Sequence, residues 1–180
     1  FLKEADAVAL FPGGFGTLDE AMETLTLLQT GKHDPFPVIL LDVAGGTYWS
    51  SWFEFIKEAL LSQSYIGLSD LELFERVDSV DEAVNRIERF YRVYHSLRYV
   101  GEQLVIRLNV ALEQETIGAV KARFRDILIP QGGLYLSSAL QDEADEPEIS
   151  HLPRLVVDFN RKDFGRLRNL IDFLNEKGPD

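Results

Sequence analysis

A glycine-rich loop directly after a short apolar segment is the feature that most constrains the fold of this chain. Residues 5–11 (ADAVALF) have the pattern of a buried strand, and residues 12–17 (PGGFGT) follow without a spacer. Three glycines in four positions are more than a simple turn needs. Glycine lets a backbone approach a bound group without a Cβ in the way. The pattern predicts a phosphate-binding loop between a strand and a helix.

The segments around this loop alternate between strand and helix patterns. Apolar residues recur at helical spacing over residues 17–30 and 49–62, and residues 79–94 predict a third helix. Residues 37–42 (PVILLD) form a continuous apolar run, typical of a strand covered on both faces, and residues 73–77 predict another short strand. The order β-α-β-α-β-α predicts a doubly wound parallel α/β layer.

The pattern changes after residue 94, where the chain also becomes less acidic. Three strands and two helices are predicted there, with the strands at 103–110, 133–139 and 155–159 and the helices at 113–127 and 162–175. This β-α-β-β-α order suits a small α+β domain of the ferredoxin-like or regulatory type. We therefore expect two domains, residues 1–97 and residues 98–180.

Composition excludes several classes of function. The formal net charge of −12 disfavours a nucleic-acid partner, because phosphate backbones are bound by clustered lysine and arginine. A few backbone amides can still hold a small anion against this charge. No apolar run approaches the roughly 20 residues of a membrane helix, so we expect a cytoplasmic protein without membrane contact. The absence of cysteine removes disulfides and thiolate metal sites.

Thr17 and Glu20 admit two interpretations. Glu20 follows Thr17 by one helical turn, where a carboxylate beside a bound sugar phosphate can activate water or stabilise positive charge on the sugar. The same spacing is that of a capping box, in which both side chains only satisfy amides at the helix start. Spacing alone leaves both interpretations open.

Residues 12–20 (PGGFGTLDE) match the PGGxGTxxE motif of the LOG (LONELY GUY) family, long labelled possible lysine decarboxylases. Residues 28–33, 37–41 and 48–55 also resemble segments that follow this motif in the family. The resemblance covers about residues 1–94. It implies a Rossmann-like fold, of which this chain holds the C-terminal half.

The resemblance also implies an activity and a set of site residues. Family members are phosphoribohydrolases, which split a nucleoside 5′-monophosphate such as AMP or a cytokinin riboside monophosphate into base and ribose 5-phosphate. Glu20 is then the catalytic carboxylate. The implied phosphate-binding residues are Gly13, Gly14, Phe15, Gly16 and Thr17, and the implied pocket neighbours are Pro12, Asp19 and Gln29. Gln29 borders either the pocket or the dimer contact by this resemblance, and an ordinary surface amide near the helix end is the alternative. The resemblance implies no metal or redox cofactor. It does imply a homodimer or a higher homo-oligomer.

Two departures from the family limit this interpretation. The family also uses an upstream glycine-rich segment and an Arg-Lys pair, both of which would precede Phe1. The chain starts without methionine, so we expect it to be a fragment of a longer protein that is active. If the 180 residues are the whole molecule, we expect no hydrolase activity.

The alternative function is that of a non-catalytic nucleotide-binding or regulatory module. Lysine decarboxylation is disfavoured, because that reaction needs pyridoxal phosphate bound to a lysine as a Schiff base. Neither Lys3 nor Lys32 has the supporting residues of such a site in the sequence around it.

The single basic cluster lies at residues 160–168 (NRKDFGRLR) and opens the last predicted helix. One interpretation is a site for an anionic effector at the helix start. The favoured interpretation is that its arginines pair with the acidic stretch at residues 142–148. Whether the C-terminal domain serves oligomerisation or effector binding stays open.

Overall fold

The computed structural model describes residues 2–178 and divides into two compact units. The first runs to Arg89 and takes in Asp163–Asn169, and the second consists of Phe90–Lys162 and the residues from Leu170 onward. Within the described residues, no helix is long and apolar enough to cross a membrane.

The first unit is built on a three-stranded parallel sheet in the order β1-β2-β3. The strands are β1 (Val8–Leu10), β2 (Val38–Leu41) and β3 (Glu75–Val77), and the helices are α1 (Phe15–Gln29), α2 (Tyr48–Phe55) and α3 (Val80–Phe90). A π-helical turn, Ile56–Leu61, extends α2. The predicted α/β class and the order of its elements are confirmed.

The central strand β2 is buried on both faces of this sheet. Val38 and Leu40 pack in one apolar cluster with residues of α1 and α2. Ile39 and Leu41 pack in a second cluster with Ala83 of α3. Because side chains alternate across a strand, helices must cover both faces of the sheet, as in a doubly wound layer.

The third helix is shorter than predicted, because it ends at Phe90 and a strand begins at Tyr94. The side chain of Asn175 occupies this junction. Its amide oxygen accepts the N–H groups of Val93 and Tyr94 at 2.8 and 3.1 Å, and its amide nitrogen donates to the Phe90 carbonyl at 2.5 Å. The amide of Asn175 replaces the lost helical hydrogen bonds, which a local pattern cannot reveal.

The second unit contains a four-stranded antiparallel sheet in the order β4-β5-β7-β6. Its strands are β4 (Tyr94–Val100), β5 (Gln103–Leu108), β6 (Leu134–Ser137) and β7 (Arg154–Val157), and its helices are α4 (Gln114–Arg123) and the later residues of α5 (Phe164–Lys177). Strand β4 was not predicted. It pairs with β5 as a hairpin that turns at Gly101, where φ is +57°.

A buried ion cluster joins this sheet to the loop after β6. Glu143 is fully buried and accepts hydrogen bonds from Arg107 at 2.9 Å and from Arg154 at 3.1 Å. Glu146 also pairs with Arg107, and Arg98 pairs with Glu146 at 2.6 Å. We call these five residues the Glu143 cluster. They fix the acidic loop against the sheet.

The favoured interpretation of the basic cluster was therefore wrong. The acidic stretch pairs with Arg98, Arg107 and Arg154 from the strands rather than with residues 160–168. Arg168 is buried, and its guanidinium donates to Glu75 at 2.9 Å. Such a guanidinium serves packing rather than effector capture. The prediction rested on the opposite charges of the two segments. The sequence does not show which arginines the sheet buries.

The start of α5 is tightly fitted within the first unit. A Cβ at Gly165 would overlap the carbonyl of Ser69, so only glycine allows this approach. Gly31 follows the C-cap of α1 and has a φ of +65°. A Cβ at Gly31 would overlap the ring of Phe164. These contacts explain why Asp163–Asn169 belongs to the first unit.

Candidate active site

The glycine loop leads directly into α1. Gly14 is the N-cap residue, in an extended conformation and without a side-chain cap. Leu18 makes the first backbone hydrogen bond of the helix, to the Gly14 carbonyl at 3.3 Å. The N–H groups of Phe15, Gly16 and Thr17 therefore have no acceptor within the described residues. Together with the helix dipole, they form a site suited to an anion.

The helix start decides between the two interpretations of Thr17. A capping box requires Thr17 at the N-cap, but it is the third residue of α1, after Phe15 and Gly16. Thr17 and Glu20 consequently do not cap the helix. The two interpretations differ in where the helix begins. The sequence did not reveal this start, because the glycines of the loop are poor helix formers.

A cavity of about 560 Å³ lies along β1 and the loop. Its volume is within the range of small-molecule sites. Its lining residues come from β1, the loop and the first turns of α1: Ala7, Val8, Ala9, Leu10, Phe11, Pro12, Gly16, Thr17 and Glu20. The cavity runs beside the edge of the sheet, since β1 pairs only with β2 among the described strands.

Among the described residues, Glu20 is the one acidic side chain that lines this cavity. It is exposed, and its carboxylate has no hydrogen-bond or ion-pair partner within residues 2–178. Glu20 follows Gly16 by four residues, or about 6 Å along the helix axis. The helix thus presents an end suited to an anion and, within the described residues, an unpaired carboxylate on the same cavity wall.

Other predicted site residues lie at different distances from this cavity. Pro12 lines it, whereas Asp19 lines a neighbouring depression with Phe15 and Met22. Gln29 is the last residue of α1, about 14 Å of helical rise beyond Glu20. Its side chain donates to Asp70 at 2.6 Å, so the structure does not bring Gln29 to the cavity of this chain.

Tyr48 is a contact of the loop that the sequence did not single out. Its hydroxyl donates to the Gly13 carbonyl at 2.8 Å. Gly13 also packs closely on Thr17, because a Cβ at Gly13 would overlap the Thr17 hydroxyl. The loop is therefore held from both sides.

Across the described residues, no group of three or more histidines and carboxylates is placed to hold a metal ion.

Comparison with known proteins bears on the first unit. The family model described as "Possible lysine decarboxylase" matches residues 1–87. The match covers just under half of the chain and is to the LOG family of the sequence resemblance. The predicted resemblance to a Rossmann-like LOG protein is confirmed.

Curated LOG proteins of plants are similar to the same region. "Cytokinin riboside 5'-monophosphate phosphoribohydrolase LOG3" of Arabidopsis thaliana is 36% identical over 88 residues, covering 49% of this chain and 39% of that protein. "Probable cytokinin riboside 5'-monophosphate phosphoribohydrolase LOGL3" of Oryza sativa subsp. japonica is 34% identical over 93 residues, covering 52% and 42%. The matched part of the chain spans about two fifths of the length of these LOG relatives.

The close packing of Gly13 leads to a prediction for the LOG-like loop. Gly13→Ala is expected to weaken binding of ribose 5-phosphate at least about tenfold, because the Cβ displaces Thr17 and with it the adjacent amides. Titration calorimetry measures the effect. Gly118→Ala is the control, since Gly118 lies in α4 with open space around it. Equal affinity for wild type and Gly13→Ala contradicts the prediction.

Proposed function

We propose that this protein is a LOG-type phosphoribohydrolase, which hydrolyses the N-glycosidic bond of a nucleoside 5′-monophosphate. The observation that carries the proposal is the arrangement of α1. Its first three amides lack acceptors within the described residues, and one turn later Glu20 lines the same cavity without a partner there. A phosphate at the helix start places the attached sugar beside the carboxylate.

The proposed mechanism divides the work between backbone and side chain. The amides of Phe15, Gly16 and Thr17 bind the 5′-phosphate and fix the position of the ribose. Cleavage of the glycosidic bond passes through an oxocarbenium-like state, whose positive charge the Glu20 carboxylate stabilises. Glu20 also accepts a proton from the attacking water. The hydroxide bonds to the sugar carbon as the glycosidic bond breaks, and the proton passes from Glu20 to the departing base, giving free base and ribose 5-phosphate.

The names of the relatives support the proposed substrate class. The LOG3 and LOGL3 proteins are named for cytokinin riboside 5'-monophosphates. For this chain we propose a nucleoside monophosphate, either AMP or a cytokinin riboside monophosphate, as substrate, without a metal or redox cofactor. We further propose a cytoplasmic homo-oligomer, following the family resemblance, in which the second unit, Phe90–Lys162 and the residues from Leu170 onward, is a separate domain.

A hydrolysis assay tests the proposed function. The full-length natural protein is incubated with AMP, with a cytokinin riboside monophosphate and with adenosine, and free base is quantified by chromatography. We expect base release from a monophosphate and little from adenosine, which lacks the group that the helix start binds. Absence of base release from both monophosphates contradicts the proposal. Calorimetric binding without any release would instead support a non-catalytic nucleotide-binding module.

A further inference from the structure

The orientation of one peptide group in the loop depends on Tyr48. This residue is the first of α2, and its hydroxyl donates to the Gly13 carbonyl at 2.8 Å. In a trans peptide the carbonyl and the following N–H point in opposite directions. No peptide bond of the described chain is cis. The Tyr48 contact therefore also sets the direction of the Gly14 N–H.

The sequence of the loop does not fix this peptide by itself. Gly13 and Gly14 are adjacent glycines, and without Cβ atoms the peptide plane between them can rotate at little steric cost. A Cβ at Gly14 would meet nothing within 4 Å, so packing does not restrain this residue either. A reversed peptide would present the Gly13 carbonyl where an anion needs a donor. The Tyr48 hydroxyl disfavours that reversal.

Tyr48 is itself held rigidly by the end of β2. The carboxylate of Asp42 accepts the N–H of Val43 at 2.8 Å and that of Tyr48 at 3.0 Å. Gly46 is pressed against Asp42, since a Cβ there would overlap the carboxylate. The indole N–H of buried Trp49 donates to the Leu41 carbonyl at 3.1 Å. The start of α2 is therefore fixed. The Tyr48 ring packs edge-to-face on the Trp49 ring, with centroids 4.8 Å apart, and this contact restrains the side chain that carries the hydroxyl.

We propose that Tyr48 is a positioning residue of the phosphate site, which selects the peptide orientation that turns the Gly14 N–H away from α2 and toward the bound 5′-phosphate. This inference rests on the proposed function only in taking a sugar phosphate as the ligand. Tyr48 touches no reacting atom. Its loss should therefore affect binding of the phosphate much more than the chemical step.

The test compares Tyr48→Phe with Tyr65→Phe. Both changes remove one phenolic hydroxyl, but Tyr65 is 75% exposed and outside the cavity. Calorimetry with ribose 5-phosphate should give a Kd about tenfold higher for Tyr48→Phe, the effect of losing one hydrogen bond to a charged group. Adenosine binding should be unchanged. In AMP hydrolysis the KM should rise about tenfold, with kcat within about twofold of wild type.

Two results overturn the inference. One is an unchanged Kd for ribose 5-phosphate in Tyr48→Phe. The other is equal weakening of ribose 5-phosphate and adenosine binding, which indicates general loosening of the fold. Failure of the proposed function is distinct: wild-type protein that binds ribose 5-phosphate but releases no base refutes hydrolysis, and the Kd comparison still decides the role of Tyr48. If wild-type protein hydrolyses AMP without measurable binding of ribose 5-phosphate, a KM for AMP that is unchanged in Tyr48→Phe overturns the inference.

Discussion

Glu20→Gln is expected to reduce kcat for hydrolysis of AMP by about 10² to 10⁴-fold. Glutamine keeps the size of the side chain but cannot accept a proton from water or stabilise positive charge on the sugar. The amides proposed to bind the phosphate belong to the backbone of α1 and stay in place. The Kd for ribose 5-phosphate should therefore remain within about twofold of wild type.

Glu23→Gln is the matched control for this experiment. Glu23 lies on α1 one turn after Glu20, is exposed and does not line the cavity. Both variants remove one negative charge from the same helix, so any long-range effect of net charge is common to them. Initial rates of base release and calorimetric Kd values are measured for both. Undiminished base release by Glu20→Gln would refute the catalytic assignment of this residue.

Glu143→Ala is expected to lower the free energy of unfolding of the second unit by about 3–5 kcal/mol. Glu143 is fully buried between the guanidinium groups of Arg107 and Arg154. Removing its carboxylate leaves Arg154 as a buried charge whose partners within residues 2–178 are only the carbonyls of Ile149 and Leu152. Arg107 keeps one partner, Glu146.

Hydrogen exchange of the β5 amides measures this change within the second unit. Both tryptophans, Trp49 and Trp52, lie in the first unit, so their fluorescence reports separately on that unit. Glu148→Ala is the control, because Glu148 is exposed on the same acidic loop. Protection of β5 that is equal in wild type and Glu143→Ala would show that the cluster contributes no net stability.

The same cluster should make the second unit sensitive to acid. Burial opposes ionisation of Glu143, but hydrogen bonds from the Leu140 amide, Arg154 and Arg107 outweigh it and hold the pKa of Glu143 below its ordinary value of 4.5. A lowered pKa in the folded state means that the stabilisation is complete well above pH 4.5 and is lost as pH falls through the lowered pKa. Glu143→Gln should therefore flatten the acid side of the stability profile.

Local sequence patterns predicted much of the first unit. The apolar run of β2, the glycine loop and the periodicity of α1 each depend on neighbours within a few residues, so their order could be inferred without a structure. The end of α3 could not. Val93 and Tyr94 are buried, which continues the apolar pattern, while the stop comes from Asn175, more than 80 residues away.

The candidate site divides in the same way. Glu20 and the loop amides follow from one strand-loop-helix segment, and the motif contains all of them. Tyr48 contacts Gly13 across 35 positions, and no spacing rule links a tyrosine to a distant carbonyl. Arg107 and Glu143 meet across 36 positions. Charge complementarity predicted that the acidic loop would find arginines, but the pairing of strands decides which arginines are available.

The packing of Asp163–Asn169 in the first unit also bears on how the protein is made. Domains tend to fold as they leave the ribosome, N-terminal part first. Here Arg168 must reach Glu75, 93 positions earlier, and Phe164 must reach Gly31. The first unit is therefore complete only after nearly all of these 180 residues have been synthesised. Until then, the nascent first unit exposes the surface that Asp163–Asn169 later covers and is open to chaperones.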